Sequence, residues 1–153
     1  MSKRELVLLF HQVLRILYGQ NFQRKPDLET LGKVFETNLE ITPDDEDFAV
    51  LPDENVREMA FSIASGVYEN QVSLDASIRK YLRGWRLERL GLMELLLLRS
   101  GLYAIGFEKF NPKSVIHAIK NVAEGYGLER AENFIAAVLQ AYASEREIEK
   151  KGE

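Results

Sequence analysis

The chain contains no cysteine and only two histidines among its 153 residues. Without cysteine it can form neither a disulfide framework nor a thiolate metal site, and it has no cysteine nucleophile. His11 and His117 fall on different predicted helices, and neither has a carboxylate at metal-ligand spacing beside it. The sequence therefore predicts neither a metal site nor a bound cofactor.

Motifs for nucleotide binding and catalysis are also missing. There is no P-loop and no dinucleotide-binding fingerprint. Ser65-Gly66 does not resemble a nucleophile elbow, because no strand precedes it. The acids at residues 44–47 lie in a predicted flexible loop, where no rigid pocket tunes their acidity. The sequence predicts that this protein is not an enzyme.

The sequence also lacks a long apolar run. The most apolar stretch, LMELLLLRSGLYAI at residues 92–105, is shorter than the roughly 20 residues that span a bilayer. The apolar patch in MSKRELVLLF is broken at once by His11 and Gln12, unlike a signal peptide. We expect a cytoplasmic protein with no membrane contact. The net charge of −4 excludes a wholly basic surface but leaves room for a local basic patch that binds nucleic acid.

Apolar residues recur at helical spacing along nearly the whole chain, and strand-like alternation is scarce. This pattern predicts an all-α fold of about seven helices. Their inward faces are carried by Leu6, Phe10, Val13, Leu14 and Leu17; Leu28, Leu31, Val34 and Phe35; Val56, Ala60, Ile63 and Val67; Leu74, Ile78, Tyr81 and Leu82; residues 92–105; Val115, Ile119, Val122 and Ala123; and Ala131, Phe134, Ile135, Val138 and Tyr142.

Several helix ends can be predicted from single residues. Gly84 and Trp85 are expected to end the fourth helix, and the fifth is expected to begin near Leu87 or Leu90. Pro112 suits the first turn of the sixth helix, where proline is tolerated, and Gly127 is expected to stop that helix. The terminal EREIEKKGE is expected to be a solvated, fraying end.

No strong linker divides the chain into independent domains. The sequence predicts one domain over residues 1–153, with N-terminal helices at about 3–39 and C-terminal helices at about 53–147. An acidic loop at about 40–52 separates the two groups.

An ordered set of residues from Trp85 to Tyr103 resembles the NusB family of bacterial transcription antitermination factors. The matching positions are Trp85, Leu87, Glu88, Arg89, Leu90, Glu94, Leu98, Arg99, Leu102 and Tyr103. Further matches precede and follow them, at Gly66, Val67, Leu74, Asp75, Tyr81, Leu82, Lys113, Ile116, Ala123, Tyr126, Gly127, Phe134, Val138 and Leu139, with a weaker match at Leu14, Leu17 and Tyr18.

This resemblance implies a NusB-like fold of two small helical bundles packed crosswise. It further implies binding to boxA-type RNA in the leader of ribosomal RNA transcripts, together with NusE, a small-subunit ribosomal protein, on the transcribing RNA polymerase. The sequence leaves a homodimer open.

The chain departs from the family pattern at several polar positions. Phe10 and His11 stand where the family usually has an Arg-Glu pair, and Ala136 stands where it has asparagine. These departures leave an alternative open, in which the protein is a non-catalytic protein-interaction module of NusB fold that has lost boxA recognition.

Two charged residues interrupt the apolar run at residues 92–105. Glu94 and Arg99 are five residues apart, about 140° around a helix, so they are not expected to pair with each other. The resemblance places Glu94 on the surface that meets NusE; the alternative is an acid stabilised by the start of its helix. Arg99 is interpreted as a structural tie between the two bundles through a carboxylate or helix-end carbonyls, rather than as an RNA contact.

Five residues are candidates for RNA binding: Lys3, Arg4, Tyr18, Arg130 and Phe134. The two N-terminal cations suit phosphate contacts. Tyr18 suits stacking on an unpaired base, although it also fits a half-buried aromatic at a helix end. Arg130 lies in a first helical turn, where the dipole disfavours a cation unless an anion binds. Phe134 also has the spacing of a core residue.

The run RKYLRGWRLER, residues 79–89, is the densest basic segment of the chain. It offers a second possible RNA surface, and a solvated helix end is the alternative.

Overall fold

The computed structural model describes residues 1–20, 54–84 and 86–151, and these residues form an all-α fold with no strand among them. The elements are α1 (Lys3–Gln20), α2 (Glu54–Glu69), α3 (Gln71–Arg79), a 3-10 helix (Leu87–Arg89), α4 (Leu92–Gly106), α5 (Pro112–Gly125) and α6 (Glu129–Lys151). The all-α prediction is confirmed for this part of the chain. The predicted helix at Leu28–Phe35 and the acidic loop lie outside the described residues, so the single-domain boundaries stay a prediction.

Helix α4 is the centre of the fold. It contacts each of the other five described helices, which explains why its sequence is apolar on nearly every face. Leu97, Leu98 and Leu102 are completely buried within it. None of the described helices is both long and apolar enough to cross a membrane.

Small residues let neighbouring helices approach α4. Gly66 in α2 faces the ring of Tyr103, and a Cβ atom built on it would lie 2.1 Å from that ring. Gly101 in α4 likewise faces Leu139 of α6, at 2.7 Å from such a Cβ. A Cβ atom at either position would force its neighbour to shift, because real Cβ atoms do not come this close to other atoms.

Some helix ends differ from the sequence prediction. Helix α3 ends at Arg79 rather than at Gly84, because the next amides turn back in 3-10 geometry, with Tyr81 N–H donating to the Ile78 carbonyl at 3.0 Å. The chain then reverses through positive φ angles at Arg83 (47°) and Gly84 (92°). Leu82 is still buried, so it packs on the core from a turn.

The ends of α5 and α6 are also defined. Pro112 begins α5 as predicted, and the Asn111 side chain accepts a hydrogen bond from Ser114 N–H at 3.2 Å. Gly127, with φ of 74°, follows the end of α5. The terminal segment continues α6 as helix through Lys151, with exposed side chains from Ser144 to Glu149.

A candidate RNA and partner interface

Three predicted site residues from two distant segments line one groove. The groove has a volume of about 550 Å³ and is lined by Arg89, Leu90, Glu94, Gly127, Leu128, Arg130, Ala131 and Phe134. We call it the α4–α6 groove. The first turns of α4 and α6 form its sides, so the proposed partner residue Glu94 and the proposed RNA residues Arg130 and Phe134 face the same space.

The charges in the α4–α6 groove are mixed. Arg89 and Arg130 are both exposed, whereas Glu94 is half-buried. Phe134 is half-buried, so it packs partly on the core and presents its remaining surface to the groove. This arrangement offers two cations for phosphates, one aromatic face, and one carboxylate for a basic group.

Glu94 also caps its own helix. Its Oε2 accepts a hydrogen bond from the Gly91 N–H at 3.2 Å, and Gly91 is the residue that precedes α4. The side chain therefore stabilises an otherwise unpaired amide at the start of α4. The hydrogen bond with Gly91 N–H agrees with the interpretation of Glu94 as a helix cap. This capping is compatible with a contact to NusE, because the same side chain lines the α4–α6 groove.

Tyr18 lines a second, smaller pocket beside the first. This pocket has a volume of about 360 Å³ and is lined by Leu14, Arg15, Tyr18, Gly19, Met93 and Tyr126. We call it the α1 pocket. Met93 directly precedes Glu94, and Tyr126 directly precedes Gly127, so the two concavities adjoin at the N-terminal end of α4.

His11 lies beneath the α1 pocket and contacts Tyr126, one of the residues that line it. Its Nδ1 and the Tyr126 hydroxyl are 2.9 Å apart and share a hydrogen bond, and the two rings stack at 5.4 Å. Burial raises the pKa of Tyr126 above its ordinary value, while the positive charge of Arg15 opposes that rise. The Tyr126 phenol is therefore neutral at physiological pH.

The other two RNA candidates lie elsewhere. Lys3 and Arg4 are exposed in the first turn of α1, which a reciprocal pair of hydrogen bonds between Ser2 and Glu5 closes at 3.1 and 3.2 Å. Helical rise places Arg4 about 21 Å from Tyr18 along α1. The structure thus brings four predicted residues, Tyr18, Glu94, Arg130 and Phe134, to one end of α4 and leaves Lys3 and Arg4 at the far end of α1.

Arg99 is buried and bonded to one carboxylate. Its Nε and Nη2 donate to the two oxygens of Asp75 at 2.7 and 2.8 Å, and both side chains are nearly buried. Asp75 belongs to α3, so the pair joins two helices of the C-terminal group rather than the N-terminal group to the C-terminal one. Arg99 lines neither the α4–α6 groove nor the α1 pocket. This geometry supports a structural role for Arg99.

The basic run is largely exposed. Lys80, Arg83, Arg86 and Arg89 are all exposed, and Arg79 pairs with Glu88 at 3.4 Å. Arg89 is the member of this run that reaches the α4–α6 groove. The second possible RNA surface therefore adjoins the first.

Of the six residues that line the α1 pocket, only Tyr18 was predicted from the sequence as a site residue. Arg15 precedes Tyr18 by three residues, so the two share a helix face, and this spacing was an available signal. Met93 and Tyr126 come from other helix ends, and no local pattern links them to Tyr18. Phe10 and His11, which replace the usual Arg-Glu pair, are both buried.

No group of three or more His, Asp or Glu side chains within the described ranges is arranged to hold a metal ion. His117 is exposed, and its Nε2 lies 3.1 Å from the Asn121 side-chain nitrogen. The chemistry that the site offers is therefore that of cations, one carboxylate and aromatic rings, which bind ligands by charge and stacking.

Comparisons with known proteins agree with this architecture. The transcription antitermination protein NusB of Caldicellulosiruptor saccharolyticus is 32% identical over 133 residues, covering 85% of this chain and 95% of that protein. The protein of the same name from Nitratiruptor is 34% identical over 89 residues, or 58% of this chain and 64% of that protein. The chain therefore spans just under two thirds of the Nitratiruptor relative.

A solved structure shares the fold. A crystal structure of the antitermination factors NusB and NusE in complex with double-stranded RNA superposes with a TM-score of 0.74 at 22% identity, covering 94% of this chain and 98% of the other. The likeness at this identity concerns the fold alone. The model of the NusB family matches residues 11–144, which is most of the sequence. The chain belongs to the NusB family.

Proposed function

We propose that this protein is an RNA-binding transcription antitermination factor that binds boxA-type leader RNA of ribosomal RNA transcripts together with NusE. Relatives that are 32% and 34% identical to this chain over the aligned residues are named transcription antitermination protein NusB. A protein of the same fold was crystallised with NusE and RNA. In this proposal the chain works by binding alone and catalyses no reaction.

The observation that carries the proposal is the α4–α6 groove. Two exposed arginines, Arg89 and Arg130, lie beside the half-buried ring of Phe134. Sites for single-stranded nucleic acid usually combine cations, which bind phosphates, with aromatic side chains, on which bases stack. Arg130 also occupies a first helical turn, where a bound phosphate would offset its repulsion from the helix dipole.

Glu94 supplies the contact to the protein partner in this proposal. An RNA-binding ribosomal protein is expected to present basic residues. The Glu94 carboxylate at the rim of the groove would attract and orient them. RNA and NusE would then bind side by side, and each would strengthen the binding of the other. The assembly would act on transcribing RNA polymerase in the cytoplasm. A homodimer of this chain is compatible with the proposal.

A titration of end-labelled single-stranded boxA-type RNA tests the proposal, with and without NusE and at two salt concentrations. Binding that strengthens with NusE and weakens with salt supports it, because each neutralised phosphate releases counterions. Arg130→Gln should weaken binding and lower the salt slope by about one. The matched control is Arg57→Gln on α2, which lines neither concavity.

Absence of RNA binding with and without NusE would contradict the proposal. If NusE still bound, the result would favour the non-catalytic protein-interaction module.

A further inference from the structure

An exposed aromatic stack lies at the C-terminal end of α4, the opposite end of this helix from the α4–α6 groove. Phe107 directly follows α4 and is 49% exposed. Its ring is nearly parallel to that of Tyr103, with 11° between the two planes and 5.0 Å between the ring centroids. Because Tyr103 covers one face of the Phe107 ring, the exposed surface of Phe107 is its other face and its edge.

The backbone and α2 hold the stack in place. The Phe107 N–H donates to the Tyr103 carbonyl at 2.8 Å, which continues the last turn of α4. The Tyr103 ring lies against Gly66 of α2, close enough that a Cβ atom built there would lie 2.1 Å from it. The exposed face of Phe107 therefore has a defined position, and a ligand that binds it has little ordering entropy to lose.

Two carboxylates lie near the stack. Glu69 at the end of α2 is exposed, and the half-buried Glu108 directly follows Phe107. Burial raises the pKa of Tyr103, and the negative charges of Glu108 and Glu69 raise it further, so both carboxylates are close to its phenol. We call Tyr103, Phe107, Glu69 and Glu108 the Tyr103–Phe107 patch.

The nearest cations do not neutralise these two acids. Lys109 lines a separate concavity formed by the ends of α4 and α6 and the start of α5. Arg146 lines the same concavity, and its Nη2 donates to the Gly106 carbonyl at 3.3 Å. The ion pairs formed among the described residues involve neither Glu69 nor Glu108. Both carboxylates are therefore available to a ligand.

The Tyr103–Phe107 patch has the chemistry of a site for a cation. The face of an aromatic ring attracts a cation within about 6 Å of its centroid. Carboxylates accept strong hydrogen bonds from cationic donors, and the C-terminal end of a helix adds partial negative charge. The same features repel a phosphate. A planar guanidinium both stacks on a ring and bonds a carboxylate through two hydrogen bonds, so arginine suits the patch better than lysine.

We propose that the Tyr103–Phe107 patch binds an arginine side chain of a second protein partner, distinct from NusE, with the guanidinium stacked on Phe107 and hydrogen-bonded to Glu69 or Glu108. This interaction surface goes beyond the proposed function, because it requires neither RNA nor NusE. The length of α4 separates it from Glu94 by about 20 Å. One chain would then bind this partner while RNA and NusE occupy the α4–α6 groove.

A titration of the isotope-labelled full chain with a capped peptide, followed by nuclear magnetic resonance, tests the proposal. The probe is acetyl-Gly-Arg-Gly-Arg-Gly-amide, and the same peptide with glutamine in place of arginine is the control. The arginine peptide should shift the amide signals of Glu69, Phe107 and Glu108 in a saturable way that weakens with salt. The glutamine peptide should leave these signals unchanged.

Variants of Phe107 separate the aromatic face from a merely apolar surface. Phe107→Leu keeps an apolar side chain but has no π-face, so the arginine peptide should bind about 2- to 5-fold more weakly, the range for an exposed cation–π contact. Phe107→Trp should bind the peptide at least as tightly as the wild type, because indole is the best ring for this contact. Since Phe107 is half exposed, thermal melts should show both variants folded.

Variants of the two carboxylates test the charge. Glu69→Gln combined with Glu108→Gln should weaken binding of the arginine peptide and reduce its dependence on salt. The matched control is Glu58→Gln, which removes an exposed carboxylate from α2 outside the patch and should leave the affinity unchanged.

Several results would overturn the proposal. They are equal affinity of Phe107→Leu and the wild type for the arginine peptide, equal shifts with the glutamine peptide, and shifts spread over the acidic surface instead of centred on the patch. A calorimetric titration with NusE should give the same affinity for Phe107→Leu and the wild type. A loss of NusE affinity in this variant would assign the patch to NusE and remove the second partner, while the proposed function would stand.

Discussion

The first turn and the middle of α4 each contain one charged residue in an otherwise apolar helix, and the surroundings of the two side chains differ. Glu94 in the first turn bonds to the backbone three residues before it and faces an open groove. Arg99 in the middle is 9% exposed and forms two hydrogen bonds with Asp75 of another helix. The same helix therefore combines an end that is available for binding with a centre that is closed.

Because of this difference, the two parts of α4 are expected to serve different purposes: the first turn binding, and the middle the stability of the fold. A charge at a helix end can satisfy its own backbone and still face solvent, so its replacement costs little folding energy. A charge at the helix centre has no such option and depends on one partner from elsewhere in the chain. We therefore expect changes in the first turn to affect binding and changes in the middle to affect folding.

The largest expected effect on stability is that of Arg99→Ala. Removal of the guanidinium leaves the nearly buried Asp75 carboxylate without its bidentate partner, at a cost of about 3 kcal/mol. For a chain of this size the melting temperature should fall by about 6–12 °C. A thermal melt followed by circular dichroism measures it.

Replacing both members of that pair is the matched control. Arg99→Met with Asp75→Leu removes both charges, so the loss should be smaller than for Arg99→Ala. An unchanged melting temperature combined with lost RNA binding in Arg99→Ala would overturn the structural role.

A smaller loss of stability is expected for Gly66→Ala, which tests the packing at the centre of α4. In an open helix this change would stabilise by about 1 kcal/mol. Here the new methyl would lie 2.1 Å from the Tyr103 ring, and overpacking should cost about 2 kcal/mol in urea unfolding. Tyr103→Leu in the same background should recover part of the loss, and a stabilised single variant would contradict the close packing.

Glu94→Lys should change the stability by less than about 1 kcal/mol. It should slow or abolish association with NusE, because like charges would then meet, while RNA binding by the protein alone should not fall. A calorimetric titration with NusE beside a thermal melt measures both effects.

Glu94→Gln separates the two contacts of Glu94. Glutamine can still accept the hydrogen bond from Gly91 N–H but carries no charge, so it should keep the stability and lose part of the NusE affinity. Glu58→Lys on α2 is the control for the added charge. Wild-type NusE affinity in a well-folded Glu94→Lys protein would leave Glu94 with the capping role alone.

The smallest effect is expected for Arg79→Ala. Backbone hydrogen bonding to the Glu88 carboxylate, followed by its hydrogen bond from the Arg79 guanidinium, lowers the pKa of Glu88. The Arg79–Glu88 pair lies in solvent, where water and salt screen the attraction. The melting temperature should match that of the wild type within error. A loss comparable to that of Arg99→Ala would show that burial is not what distinguishes the two pairs.

The predictions from sequence succeeded where the signal was local. Helix α5 has a strong apolar period, a proline at its start and a glycine after its end, and its bounds were predicted well. Helix α3 was predicted too long, because Tyr81 and Leu82 continue the apolar period although the backbone has already turned. Periodicity records which side chains are buried, and a residue in a turn can be buried as well as one in a helix.

The candidate site was predicted in part for the same reason. Glu94, Arg130 and Phe134 were selected singly, from the family resemblance and from their positions on helices. Their meeting in one groove depends on how α4 and α6 pack, which no local pattern contains. Arg15, Met93 and Tyr126 were not predicted as site residues, because they form a pocket only where the folded chain brings them together around Tyr18.

The sequence by itself determined the helices, the family and the apolar centre, because helical periodicity, caps and an ordered set of residues are properties of neighbouring positions. Only the tertiary structure decided that Arg99 is paired with Asp75, that Glu94 faces a groove, and that Tyr18 shares a pocket with Tyr126. These outcomes depend on distances between segments up to 108 residues apart in the chain, from Tyr18 to Tyr126, and those distances are set by the packing of whole helices.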